Sequence, residues 1–125
     1  MSISAAHADA FFDEVHRLGE VWAVRDKNGF SAPVNADGVR SMPFWSLATR
    51  ARKIQSTVSA YGGFEVVSIP LNEWRSRWLP GLERDGLLVG LNWSGARATG
   101  YDVLPSAALS SLAARESPGT LSHFL

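Results

Sequence analysis

Hydrophobic positions recur along the chain in two patterns, at three- and four-residue steps in some stretches and in short runs in others. The stepped pattern predicts amphipathic helices at residues 4–18 and 46–60. Pro70 begins a third helix, because proline loses nothing at a first helical position, and Pro80 is expected to interrupt it. Pro105 opens a last short helix. The predicted buried faces consist of Ala8, Phe11, Phe12, Val15 and Leu18, then Leu47, Ala51, Ile54, Val58 and Tyr61, then Leu71, Trp74, Trp78 and Leu82, then Leu109 and Leu112.

Short runs rich in β-branched and aromatic residues predict strands between these helices. Turn signals at Asn28-Gly29, Asp37-Gly38 and Ser94-Gly95 join neighbouring strands in antiparallel pairs, and Pro33 marks an edge strand. The predicted fold class is therefore α+β, a small, mostly antiparallel sheet with about four helices packed on it. The strands are expected at residues 21–24, 30–34, 39–45, 64–69, 87–93 and 97–104, the fourth of them largely buried.

Local signals also predict where helices and the domain begin and end. Ser4 and Ser46 are plausible N-caps of the first two helices, and Gly19 is a natural stop. Residues 1–115 are expected to form a single α+β domain. Residues 116–125, rich in Ser, Pro, Gly and Thr, are expected to form a flexible C-terminal tail.

Composition excludes several classes of function. The chain has no cysteine, which rules out thiolate nucleophiles, disulfides and cysteine-based metal sites. The formal net charge is zero, so net charge predicts no strong nonspecific attraction to nucleic acid or to an anionic membrane. The N-terminal sequence does not resemble a secretory signal, and no apolar run reaches the length of a membrane span. We therefore expect a cytoplasmic protein.

Charge is segregated along the chain although its total is zero. Residues 38–80 contain six basic and two acidic residues, a net +4, whereas residues 1–20 contain one basic and four acidic residues, a net −3. If the second and third helices lay side by side, they would form a basic patch for an acidic protein or a phosphate-rich ligand. Solvated helix faces are the alternative, in which arginine stems cover apolar surface. The candidate partner-binding residues are Arg50, Lys53, Trp74, Arg75, Arg77 and Trp78.

Five tryptophans and six phenylalanines are the unusual feature of the composition. Rings of this size bury much area per residue and supply a compact core. Trp74 and Trp78 lie four residues apart and therefore on one face of the predicted helix. Arg75 and Arg77 lie at the rim of that face. The tryptophans are therefore expected either to fill the core or to line a groove that anchors a partner peptide.

Catalytic motifs are absent, and no catalytic, cofactor-binding or metal-binding residue is predicted. Asp9, Asp13 and His16 share one face of the first helix, which could hold a divalent metal or an acid–base pair. An exposed face whose acidic residues suit the helix dipole explains them more simply. Ser46 follows a strand and opens a helix, like some nucleophiles, although N-capping accounts for it. No glycine pattern matches a phosphate-binding loop.

An ordered series of residues resembles a known bacterial family. The series comprises Val21-Trp22, Asp26, Gly29, Pro43-Phe44-Trp45-Ser46, Ala51, Ile69, Leu71, Trp74, Trp78-Leu79, Leu82, Asp85-Gly86 and the strand end at residues 103–105. It spans roughly residues 8–112 and is similar to domain of unknown function 2750. A more distant likeness is to the enhanced serine sensitivity protein family. The resemblance implies a small bacterial α+β domain of uncharacterised role.

The sequence favours a non-enzymatic protein-interaction module, of an inhibitor or immunity type, whose partner has an acidic surface. This hypothesis follows from the missing catalytic motifs, the segregated charge and the abundance of tryptophan. Two alternatives stay open: a small hydrolase or metal-dependent enzyme using Asp9, Asp13 and His16, and a weak nucleic-acid or phosphate-ligand binder using residues 50–53.

Overall fold

The structure is a computed structural model that describes residues 3–35, 37–95 and 97–124. Within them, the helices are α1 (Ile3–Leu18), α2 (Ala48–Thr57), α3 (residues 71–84) and α4 (Pro105–Phe124). The strands are β1 (Glu20–Asp26), β2 (Gly29–Phe30), β3 (Ser41–Phe44), β4 (Glu65–Pro70), β5 (Leu88–Ser94) and β6 (Thr99–Val103). This arrangement is an α+β fold with mostly antiparallel sheets, as the sequence predicted.

The strands form two three-stranded sheets that meet at a pair of tryptophans. In the first sheet β1 lies between β2 and β4, and both pairings are antiparallel. In the second sheet β5 lies between β3, which is parallel to it, and β6, which is antiparallel. Trp22 of β1 and Trp45, directly after β3, each donate a backbone N–H to the other's carbonyl oxygen at 2.8 Å. The Trp22–Trp45 bridge therefore connects the two sheets.

Both faces of the joined sheets carry a hydrophobic cluster. Alternate side chains of a strand point to opposite faces, so Val21 and Ala23 join one cluster and Val24 joins the other. The larger cluster lies against α1, α3 and α4 and includes Phe11, Phe12, Val15, Phe44, Trp74, Leu79, Val89, Leu91 and Leu112. The smaller cluster lies beneath α2 and comprises Val24, Trp45, Ala51, Ile54, Tyr61, Trp93 and Ala98.

The predicted serine caps are wrong. Ser4 lies inside α1, because the helical backbone already begins at Ile3. Helix α2 begins at Ala48 with Leu47 as its N-cap residue, and no side chain caps it. Ser46 instead lies two residues before the helix, fully buried, where its hydroxyl contacts other elements. Gly19 does end α1: its φ is +76°, and its N–H donates to the Val15 carbonyl oxygen at 2.9 Å.

Two strand predictions need correction. The second strand, expected at residues 30–34, is only the two residues of β2, and beyond it Val34 forms a single bridge with Arg40. Pro33 explains the early end, because it has no N–H to extend the ladder. The fourth strand is not largely buried: Glu65 and Ser68 are exposed. In the described part of the chain β4 is an edge strand with one neighbour, so half of its side chains face solvent.

Pro80 interrupts the α-helical register of α3 but does not end the helix. The helix consists of Leu71–Glu73, a π-helical turn at Trp74–Trp78 and a final α-helical segment at Leu79–Arg84. In a regular α-helix the proline ring would clash with the carbonyl group four residues earlier. The π turn before it is wider, with the Leu79 N–H donating to the Trp74 carbonyl oxygen five residues earlier.

Helix α4 is longer than the sequence suggested. It begins at Pro105, as predicted, but its backbone stays helical to Phe124. The flexibility expected of residues 116–125 stays a prediction, and Leu125 lies outside the described residues. No helix in the described part of the chain is both long and apolar enough to cross a lipid bilayer.

Candidate functional site

The structure divides the predicted partner-binding residues between two separate places. Arg50 and Lys53 lie on α2, which packs against β1, β4 and β5. Trp74, Arg75, Arg77 and Trp78 lie on α3, whose last turn packs against α4 and β5. The basic residues of the two helices therefore do not form the single patch that the charge pattern suggested.

The tryptophans of α3 belong to the core rather than to a groove. Trp74 is fully buried, with ring centroids 5.3 Å from Phe44 and 5.9 Å from Phe11. Its ring consequently has no surface that a partner could contact. Trp78 is half-buried and meets Phe30 edge-on at 4.7 Å.

The basic residues of α3 have unequal surroundings. Arg75 forms an ion pair with Glu116 of α4, so it holds two helices together. Arg77 is exposed and borders a shallow depression of about 280 Å³, together with Trp78, Met42 and Asp85. This depression is smaller and more open than the cavity beside α2.

A cavity with a volume of about 600 Å³ lies between α1, α2 and the end of β5. Its floor is apolar, where Ile54 and Trp93 are 2% and 6% exposed, and the ionisable side chains that the structure describes in its lining are His7, Arg50 and Lys53. The lining consists of His7, Ala10, Arg50, Lys53, Ile54, Thr57, Asn92, Trp93, Ser94 and Gly95. We call this space the α1–α2 cavity.

A β-bulge at Asn92 turns Trp93 towards α2. Leu91 pairs with Tyr101 and Ser94 with Thr99, so two residues of β5 oppose one residue of β6. The extra residue shifts the alternation of side chains, which places Trp93 in the smaller cluster although Leu91 lies in the larger one. Asn92 has φ +49°, a left-handed conformation that asparagine tolerates better than most residues.

Trp93 is held in place from behind the cavity. Its indole Nε1–H donates to the Asp102 carboxylate at 2.9 Å, and its carbonyl oxygen accepts the Trp45 indole N–H at 2.8 Å. Glycine is required beneath the ring, because a Cβ at Gly90 would lie 2.5 Å from two atoms of the indole. The apolar floor of the cavity is thus preformed.

A polar network joins α1, α2 and β5 next to the cavity. The buried Ser46 hydroxyl donates to Glu14 at 2.8 Å and accepts from Asn92 Nδ2 at 3.1 Å and from Arg50 at 3.0 Å. Arg50 also pairs with Glu14 at 2.8 Å, and the Glu14 side chain is only 18% exposed. The network fixes the Arg50 guanidinium and neutralises its charge.

Lys53 is the cavity's uncompensated cation. It is exposed and forms no ion pair with any residue that the structure describes. His7 faces the same space from α1. Since the carboxylate of Glu14 is already taken up by Arg50 and Ser46, the positive character of the cavity comes chiefly from Lys53.

The acidic face of α1 binds an arginine. Arg115 of α4 donates to the Asp13 carboxylate at 2.8 Å and to the Asp9 carbonyl oxygen at 3.1 Å, while the Asp9 carboxylate lies 3.6 Å away. The described residues contain no group of three His, Asp or Glu side chains that could hold a metal ion. Asp9 and Asp13 therefore attach α1 to α4, whereas His16 is exposed on the same helix.

Sequence patterns did not indicate Glu14, Asn92 or the cavity itself. Asn92 carried a weak signal, since an asparagine within an apolar strand is unusual and suits a bulge. Glu14 carried none, because its partners Ser46 and Arg50 are more than 30 residues away.

Comparison with known proteins places most of the chain in a family. The model of a family described as a protein of unknown function (DUF2750) matches residues 8–112. This range includes every lining residue of the α1–α2 cavity except His7. No curated protein matches the chain.

Proposed function

The chain belongs to the DUF2750 family, and we propose that it is a non-enzymatic protein-interaction module that binds an acidic partner through α2 and the α1–α2 cavity. The proposal rests on the positive charge of α2. This helix contains Arg50, Arg52 and Lys53 and no acidic residue. Complementary charge steers partners and selects among them.

The contacts of Arg50, Arg52 and Lys53 support the surface of α2 beside the cavity as the binding face. Arg50 is neutralised by Glu14, whereas Arg52 and Lys53 are exposed and form no ion pair within the described residues. The cavity beside them, with the exposed Ala10 on one side and Ile54 and Trp93 at its floor, offers a place for a partner side chain. Interfaces commonly combine an apolar centre with a polar rim in this way. A module of inhibitor or immunity type fits such a surface, and we place this module in the bacterial cytoplasm.

Charge reversal on α2 tests the proposal. The full-length protein, the Arg52→Glu/Lys53→Glu variant and a matched Lys27→Glu/Arg84→Glu control are immobilised and exposed to extract of the encoding bacterium at physiological salt. We expect proteins that the wild type and the control retain and that the α2 variant loses at least about tenfold, which corresponds to about 1.4 kcal/mol. Retention that does not depend on α2 would overturn the proposal. Circular dichroism confirms that all three proteins are folded.

Nucleic acid is the weaker candidate for the same surface. Arg52 and Lys53 could neutralise about two phosphates, which predicts a slope of roughly −2 in a plot of log affinity against log salt. Binding to random-sequence DNA or RNA with a slope of about −2, abolished by the α2 variant, would favour nucleic acid over an acidic protein.

A further inference from the structure

The α1–α2 cavity has the size and composition of a small-molecule site. Its volume of about 600 Å³ lies within the range of roughly 300–1,000 Å³ that is usual for ligand pockets. Such pockets are mainly apolar and contain a few polar groups that orient the ligand. The cavity fits this description, with Ile54, Trp93 and Ala10 on the apolar side and Lys53 as an available cation.

We propose that the α1–α2 cavity binds a small organic acid, an amphipathic carboxylate whose apolar body lies against Ile54 and Trp93 and whose carboxylate lies beside Lys53. The inference goes beyond the proposed interaction role at the same cavity, because a small acid would bind there without a partner protein. The ligand class follows from charge and shape together: the floor is apolar, and the ionisable lining residues are His7, Arg50 and Lys53.

Three features of the structure preform this site. The bulge at Asn92 turns the Trp93 ring to the face of the sheet that α2 covers. The hydrogen bond to Asp102 fixes the ring within its plane. Glu14 and Ser46 fix Arg50, so that Lys53 remains the cation free to meet an anion. A preformed floor reduces the entropic cost of ordering side chains on binding.

Titration of the full-length protein with 4-phenylbutyrate tests the inference. The neutral 4-phenylbutanol and the short acid butyrate serve as matched probes, and the ¹H–¹⁵N signal of the Trp93 indole reports binding. We expect 4-phenylbutyrate to shift this signal and to bind about tenfold more tightly than either matched probe, as one charge-assisted contact and one apolar contact would give.

Variants of two exposed lysines identify the charge that matters. Lys53→Met should reduce the affinity for 4-phenylbutyrate to that of the alcohol. Lys27→Met, at an exposed position outside the cavity lining, should leave the affinity unchanged. Ala10→Trp fills the cavity from an exposed position and should abolish binding of both aromatic probes. A dispersed spectrum confirms that each variant is folded.

Several results would overturn the inference. They are the absence of any shift with 4-phenylbutyrate, equal affinity for the acid and the alcohol, or an unchanged preference in Lys53→Met. A peptide that ends in Glu-Phe with a free carboxyl group tests the other source of this chemistry. If it bound more tightly than 4-phenylbutyrate, the cavity would be part of a protein-binding surface rather than a site for a small acid. The capture experiment with Arg52→Glu/Lys53→Glu tests the interaction module separately.

Discussion

Trp93 connects the backbone of β5 to the candidate site. Its ring lies over Gly90 on its own strand and over Gly100 on β6, where a Cβ would lie 2.8 Å from Cδ1. Gly90 can lie beneath the ring only because the bulge moves Trp93 to the same face of the sheet. Glycine here allows close packing between a backbone and an aromatic ring.

Gly90→Ala should destabilise the protein by about 2–3 kcal/mol, because the added methyl group displaces a fixed ring in a packed core. Gly63→Ala is the matched control, since a Cβ at Gly63 meets no atom within 4 Å. Urea denaturation compares the two free energies of unfolding. Equal values for the two variants would contradict the proposed packing of Trp93.

Asn92 contributes through its backbone conformation and through its side chain. Asn92→Gly keeps the left-handed conformation but removes the hydrogen bonds to Ser46, at an expected cost of about 1–2 kcal/mol. Asn92→Ala removes the same bonds and adds strain at φ +49°, so we expect a further cost of about 1 kcal/mol or more. Thermal and urea unfolding measure both variants. If alanine were no worse than glycine, the bulge would not depend on the left-handed conformation.

At the scale of elements, Arg115 attaches the C-terminal helix α4 to α1. Its guanidinium contacts Asp13 and Asp9, and it lies 5.6 Å from the centroid of the Phe12 ring. The acidic residues are exposed, so each ion pair alone is weak. The ion pairs, the cation–π contact and a hydrogen bond to the Ser111 carbonyl oxygen together are expected to raise the free energy of unfolding measurably.

Arg115→Met keeps the apolar stem and removes the charged contacts. We expect a loss of about 1–2 kcal/mol in the free energy of unfolding, with a smaller difference at high salt because the ion pairs are partly screened. Arg17→Met, a change of the same kind at an exposed position in the last turn of α1, should cost less than about 0.5 kcal/mol. A loss in Arg115→Met no larger than in Arg17→Met would show that α4 is held without this residue.

The molecule as a whole has one set of joined sheets with a hydrophobic cluster on each face. Strand β1 contributes to both clusters, and the Trp22–Trp45 bridge connects the sheets at their junction. Neither cluster can therefore lose its packing without disturbing a strand that the other cluster needs. This arrangement predicts cooperative unfolding.

Ile54→Ala in the smaller cluster and Leu112→Ala in the larger one should each lower stability by about 2–4 kcal/mol. Each variant should also lower the midpoints of far-UV circular dichroism and tryptophan fluorescence by the same amount, because two-state unfolding gives coincident transitions. Transitions that separate in Ile54→Ala but coincide in Leu112→Ala would show that the clusters unfold independently.

Most elements could be predicted because their signals are local. The apolar steps in residues 4–18 indicate α1, and Gly19 and Gly29 mark a helix end and a hairpin through their positive φ. The sequence around Pro80 does not determine how the helix continues, because that depends on whether a π turn can form before the proline. The N-cap prediction for Ser46 is wrong for a similar reason. A serine before a helix favours a cap, but the hydroxyl of Ser46 binds the distant Glu14 and Asn92 instead.

By itself, the sequence determined the fold class, the order of helices and strands, and the membership in a family, because periodicity, turn residues and an ordered series of motifs are properties of neighbouring residues. Only the tertiary structure decided the parallel pairing of β3 with β5, the separation of the two basic groups and the cavity beside α2. These features depend on contacts between residues such as Glu14, Ser46 and Asn92, which lie more than 30 positions apart. Such contacts depend on how whole elements pack, and no local pattern encodes that packing.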